Sequence, residues 1–155
     1  MSDAVNEADA EQLDAEQVAP RRIGAAAMVV LLVAALAVAL YLTWTKLTGE
    51  PVVCGPLAGC ETVATSPYAA FLGIPVAAFG AGATTVTLIG AFLWWRRQER
   101  LGLIVAYAIG LISLPILAYL AYLEVAVIHA VCVWCVIYAL LTITAWLVSV
   151  RELRR

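Results

Sequence analysis

Four cysteines fall into two pairs with different surroundings. Cys132 and Cys135 stand three apart in HAVCVWCVIY, residues 129–138, an apolar run that opens with the chain's single histidine, His129. Cys54 and Cys60 stand six apart in VVCGPLAGCE, where Gly55, Pro56 and Gly59 disfavour regular structure. Two dithiols in one chain suggest thiol–disulfide exchange, in which electrons pass from one pair to the other through mixed disulfides. The same residues permit other chemistry. Four thiolates make a zinc site, the loop pair alone makes a structural disulfide, and a membrane helix accepts cysteine as a small apolar residue. Nothing else in the sequence favours a metal over a redox pair.

The elements that position these cysteines follow from composition. The 155 residues are 65% hydrophobic and only 13% charged, about half the charged share of an ordinary soluble domain. The chain is therefore expected to be an all-α membrane protein. Six of the eleven acids, Asp3, Glu7, Asp9, Glu11, Asp14 and Glu16, lie in the first 20 residues. With no aromatic residue and no helical stripe, residues 1–20 read as a disordered acidic tail. Residues 21–155 form the membrane domain, with nine basic against five acidic groups, and no nucleic-acid partner is expected. A bilayer core takes about 20 helical residues. Four apolar segments meet that length, Ile23 to Trp44, Tyr68 to Trp95, Leu101 to Leu123 and His129 to Val150, with a tight hairpin at Glu124 to Ile128 separating the last two.

Cations set the orientation. Arg21 and Arg22 precede the first helix, Arg96, Arg97 and Arg100 lie between the second and third, and Arg151, Arg154 and Arg155 follow the fourth; only Lys46 falls on the other side. Both termini are then expected in the cytoplasm, and the loop between helices 1 and 2 faces outward with all four cysteines, on the side where disulfides persist. On a helix, Cys132 and Cys135 would share a face with Cβ atoms about 5 to 6 Å apart, wider than the roughly 4 Å of a relaxed disulfide. The pair closes only with strain, which favours a reversible, catalytic bond. A mobile loop pair could then exchange with a soluble thiol protein and pass electrons to the helix pair. No haem or iron–sulfur ligand set is present beyond the cysteines, so a lipid-soluble quinone is the natural acceptor.

Cys54-x5-Cys60, then Ser66-Pro-Tyr followed by FLGIP, then IHAVCVWC at the last helix, together resemble the bacterial vitamin K epoxide reductase family over roughly residues 20–150. The resemblance implies a four-helix bundle around a quinone, menaquinone or ubiquinone, and an oxidase in the bacterial cytoplasmic membrane. That enzyme would regenerate a thioredoxin-like (DsbA-type) disulfide donor outside the cytoplasm, here a separate protein. It also implies roles: Cys54 exchanges with the partner, Cys60 attacks the Cys132–Cys135 disulfide at Cys132, Cys135 faces the quinone, and the Ser66 hydroxyl bonds a quinone carbonyl. Ser66 before Pro67 also has the form of a helix N-cap followed by N1, so two roles compete for one oxygen.

The remaining polar and aromatic residues read more plainly. His129 is expected as an interfacial residue outside the catalytic set, and Glu124 as a solvated turn residue, although an ionisable group so near the bilayer is always a functional candidate. Trp44, Trp94, Trp95 and Trp134 fall where interfacial anchors belong. Pro75 and Pro115 are expected to kink their helices. At Cys132 and Cys135 the helix dipole favours the thiolate and burial opposes it. Two alternatives stand beside the oxidase: reduction of vitamin K epoxide or a naphthoquinone for cofactor recycling, and a non-catalytic four-helix scaffold or small transporter. The last is disfavoured because no Asp, Glu, Lys or Arg falls inside the four expected spans.

Overall fold

The structure, a computed structural model, describes residues 2–54, 59–97 and 99–154, with side chains from residue 22 onward. Helix α1 runs Ser2–Thr48, α2 Gly59–Thr65, α3 Val76–Arg97, α4 Arg100–Tyr122 and α5 Val133–Leu153. Between α2 and α3 lie a 3-10 turn, Pro67–Ala69, and a two-residue hairpin of β1, Ala70–Phe71, and β2, Ile74–Pro75, paired antiparallel. Four segments are long and apolar enough to cross a membrane: Arg22–Thr48, Val76–Arg97, Arg100–Ile128 and Val133–Leu153. The protein is a four-helix membrane bundle.

Helix α1 packs on α3 and α5, and α4 packs on the same two, which closes a ring. Leu, Ile and Val line its outside, with Val30, Leu40, Ile89, Ile112 and Leu147 exposed, while the hydroxyls of Thr84, Thr87 and Ser149 are buried. Lipid is as apolar as leucine, so such a bundle coheres through close packing and interhelical hydrogen bonds. Gly90 of α3 and Gly102 of α4 meet backbone to backbone, and a Cβ on Gly102 would fall on the Gly90 carbonyl oxygen. Around that crossing Met28, Leu32, Ala91, Trp94, Leu103, Ala106 and Ala145 form the main core. A second cluster, Val52, Cys60 and Cys132, sits at the opposite end of the bundle.

The helical backbone of α1 extends through the acidic segment as far as Ser2; that segment is rich in Ala, Glu and Gln, all good helix formers. Other expectations are corrected. The second span starts at Val76 rather than Tyr68, because Leu72 and Gly73 both take positive φ, 51° and 81°, the geometry of a tight hairpin turn. Pro75 therefore ends a strand and kinks nothing, whereas Pro115 does lie inside α4. The turn after α4 is a π-helical turn, Leu123–Ile128, closed by His129 in the left-handed conformation. Its reversal is fixed by the Glu124 carbonyl, which accepts the N–H groups of both His129 and Ala130. The fourth helix then starts at Val133, with Cys132 as its extended N-cap.

Candidate active site

The loop pair is joined: Cys54 and Cys60 form a disulfide with Cα atoms 5.9 Å apart. Its surroundings are firmly attached to the bundle. The Val52 N–H donates to Glu61 Oε2 at 3.2 Å, the Val53 N–H to the Tyr41 hydroxyl at 3.1 Å, and Trp134 Nε1 to the Val53 carbonyl at 2.8 Å. The Tyr41 and Trp134 rings pack at 5.2 Å between centroids, and Lys46 Nζ donates to the Ala64 carbonyl near the end of α2. The chain just before Cys54 is thus held at Val53 by α1 on one side and α5 on the other. Trp134, expected as an interfacial anchor, is one of its clamps. Gly55 and Pro56 lie outside the described residues.

Gly59 opens α2 directly against the chain before Cys132. A Cβ there would overlap the Val131 carbonyl oxygen and lie 2.8 Å from the Val131 nitrogen. Only glycine lets the two backbones meet, and the contact brings fully buried Cys60 into one packed cluster with Cys132, which is 2% exposed.

Cys132 and Cys135 carry free thiols. Because Cys132 is the N-cap of α5, with φ −91° and ψ 114°, the pair spans a helix start rather than a helical face. Its sulfur receives the Cys135 thiol and the first backbone N–H groups of α5, those of Cys135 and Trp134. The Cys132 pKa is thereby lowered to about 7, with burial and the nearby Glu124 charge acting against the shift. At Cys132 the hydrogen bonds outweigh burial, and the thiolate is favoured near neutrality.

Glu124 is not the solvated residue expected. It is 7% exposed, its Oε2 accepts the buried Cys132 N–H at 3.1 Å, and its carboxyl is within hydrogen-bonding reach of the Cys135 thiol. The π turn carries the side chain inward. The helices run beyond the expected spans, so Lys46, Glu124 and Glu152 fall within the first, third and fourth of them. His129 stays exposed, with Nδ1 3.2 Å from the Val127 carbonyl.

Below the cysteines lies a cavity of about 280 Å³, walled by Phe79, Ala83, Ile116, Leu117, Leu120 and Val136. The sequence model of the vitamin K epoxide reductase family matches residues 26–150. The chain belongs to the vitamin K epoxide reductase family. Membership makes it a quinone-linked thiol oxidoreductase, and the cavity fits the vitamin K epoxide reductase chemistry. Its volume is near the lower end of small-molecule sites, roughly 300 Å³, and its walls are apolar with few polar groups. Phe79, Ile116 and Val136, which line it, are themselves exposed.

Among the side chains lining the cavity, Cys135, Glu124, Ser66 and Tyr138 bear polar groups. The Ser66 hydroxyl donates to the Val63 carbonyl at 2.8 Å and makes no N-cap bond, which leaves its lone pairs but not its proton. A hydrogen bond donated to a quinone carbonyl would require that proton to turn away from Val63. Tyr138, one turn beyond Cys135, donates to the Gly80 carbonyl at 3.1 Å and lies 2.9 Å from Thr84 Oγ1, tying α5 to α3 beside the cavity. Sequence reasoning missed Tyr138, and the only signal was its spacing from Cys135. Glu124 was signalled more clearly, as the one carboxylate between Leu101 and Val150.

Proposed function

We propose that this protein is a quinone-dependent thiol oxidase that reoxidises a thioredoxin-like disulfide donor outside the cytoplasm. The carrying observation is the packing of the Cys54–Cys60 disulfide against Cys132, with Cys60, Cys132 and Cys135 all lining the cavity. In the proposed cycle the partner's dithiol reduces Cys54–Cys60 and leaves as a disulfide. The Cys60 thiolate then attacks Cys132 of the oxidised Cys132–Cys135 pair, releasing Cys135 as a thiol. Cys54 next attacks Cys60, re-forms the loop disulfide and expels Cys132, whose lowered pKa makes it a good leaving group. Cys132 and Cys135 finally lose two electrons and two protons as their disulfide forms, and a quinone taken up in the cavity becomes hydroquinone.

The distribution of cations supports an orientation with both termini in the cytoplasm and the cysteines outward. That places the loop pair where a soluble thiol protein can reach it. A transporter is disfavoured on new grounds: the one carboxylate lining the cavity is bonded to the Cys132 backbone rather than lining a polar path.

The test is quinone reduction by the purified protein supplied with a reduced thioredoxin-like substrate. Wild type is expected to turn over, and Cys135→Ala to be inactive. Cys54→Ala should fail with the protein substrate while retaining activity with a small dithiol. Quinone turnover that survives Cys135→Ala would sink the proposal. Offering vitamin K epoxide to the same preparation separates the oxidase from a cofactor-recycling reductase.

A further inference from the structure

Thiol oxidation moves protons as well as electrons, and the inner pair is buried. Reduced, the Cys135 thiol has a carboxyl within hydrogen-bonding reach, and that carboxyl also accepts the Cys132 N–H at 3.1 Å. Oxidised, the disulfide has no proton to donate, and a 7% exposed carboxylate is left with one backbone donor. A buried carboxylate that loses a donor is costly unless it takes up a proton. The proton released by Cys135 is the nearest source. Resting on the function proposed above, we infer that Glu124 is the proton acceptor for Cys135, taking its proton as the Cys132–Cys135 disulfide forms and holding it at the cavity wall.

The balance closes. Two sulfurs lose two electrons and form one S–S bond; the Cys135 proton goes to Glu124 and the Cys132 proton to the outer water, favoured by the lowered pKa of that thiol. The electrons pass to the quinone, whose reduction takes up two protons, one from Glu124 and one from water. The other ionisable side chains on the cavity wall are less suited. Lys46 donates to the Ala64 carbonyl, Tyr138 to the Gly80 carbonyl, and Tyr68 is 46% exposed on the 3-10 turn. The nearby Glu61 accepts the Val52 N–H, and His129 is exposed beyond the turn. Glu124 alone joins both cysteines to the cavity.

The experiment needs no quinone. Full-length protein in nanodiscs is equilibrated with glutathione between about pH 6 and about pH 8, and the redox state of Cys132–Cys135 is read by alkylation and peptide mass. If Glu124 takes up a proton on oxidation, the wild-type pair becomes harder to oxidise relative to that of Glu124→Gln by about tenfold for each unit that the pH rises, the signature of one additional proton. Glu124→Asp, which keeps a carboxylate, should follow the wild type. An oxidised-minus-reduced infrared spectrum of the wild type should gain a protonated-carboxyl band, which tests the inference even if the glutamine variant does not fold. Equal pH slopes in wild type and Glu124→Gln, or no gain of that band, would overturn it. Because glutathione replaces the quinone, this result is independent of the turnover assay that decides the proposed function.

Discussion

Replacing Gly59 by alanine adds one methyl group at the point where α2 meets the chain before Cys132. The new Cβ would overlap the Val131 carbonyl oxygen and lie 2.8 Å from its nitrogen and 3.1 Å from its carbonyl carbon, and all three are backbone atoms with no rotamer to relieve the clash. Restoring an ordinary contact of about 3.5 to 4 Å requires α2 to back away by about 1 Å, and Cys60 moves with it. Overpacking of this kind costs typically about 1–3 kcal/mol in stability, so the protein should still fold. Transfer between Cys60 and Cys132 is more sensitive, since a displacement of about 1 Å at a reacting centre costs on the order of 100-fold in rate. Rapid mixing with reduced substrate, acid quenching and alkylation would follow electrons from the loop pair to Cys132–Cys135. Gly59→Ala should reduce the loop disulfide normally and slow the second transfer about 100-fold. Gly82→Ala is the control, because nothing lies within 4 Å of its new methyl group. If Gly59→Ala transfers at the wild-type rate, the close approach of α2 to Val131 does not position Cys60, and the reasoning fails.

Two further outcomes follow from the same site. Cys132 of the reduced protein should be alkylated with a half-maximal rate near its pKa of about 7, and Cys135→Ala, which removes the largest cause of the shift, should move that midpoint upward. As the folded pKa is depressed, the stabilisation it contributes is complete above the ordinary thiol value of 9.0 and is lost as pH falls through about 7; denaturant titrations of the reduced protein at several pH values would show that sign. Ala83→Phe, placed on the cavity wall, should raise the KM for quinone at least several-fold while leaving thiol transfer between the two cysteine pairs unchanged, measured as quinone-dependent turnover beside the quench assay.

Much of this architecture was legible because lipid imposes simple rules. Ile23 to Trp44 and Leu101 to Leu123 announce spanning helices by length and apolarity alone, and the structure places helices there. The cysteine pairs stood out because a C-x-x-C at the edge of an apolar run combined with a Gly/Pro-rich dithiol loop is an unusual pattern. What was hidden lay in local backbone geometry. Nothing in LEVAVIH announces a π turn ended by a left-handed histidine, since histidine rarely fills a position that glycine or asparagine prefers. Missing that turn left Glu124 in water when it is packed beneath Cys132. The anchoring of Val53 was hidden for another reason: it depends on Tyr41 and Trp134, which are separated from Val53 by 12 and 81 positions. Composition near Cys54 carries no record of either.

The backbone contact between Gly90 and Gly102 has a mechanical consequence for the whole bundle. It pins α3 to α4 near the end that bears Arg96, Arg97 and Arg100, whereas the cavity lies toward the other end, between Phe79 and Ile116. Two stiff rods fastened at one end can separate only at the other, as the jaws of a clothes-peg do. A relative tilt of α3 and α4 about these glycines would therefore act on the wall between Phe79 and Ile116 rather than on the end that bears the arginines.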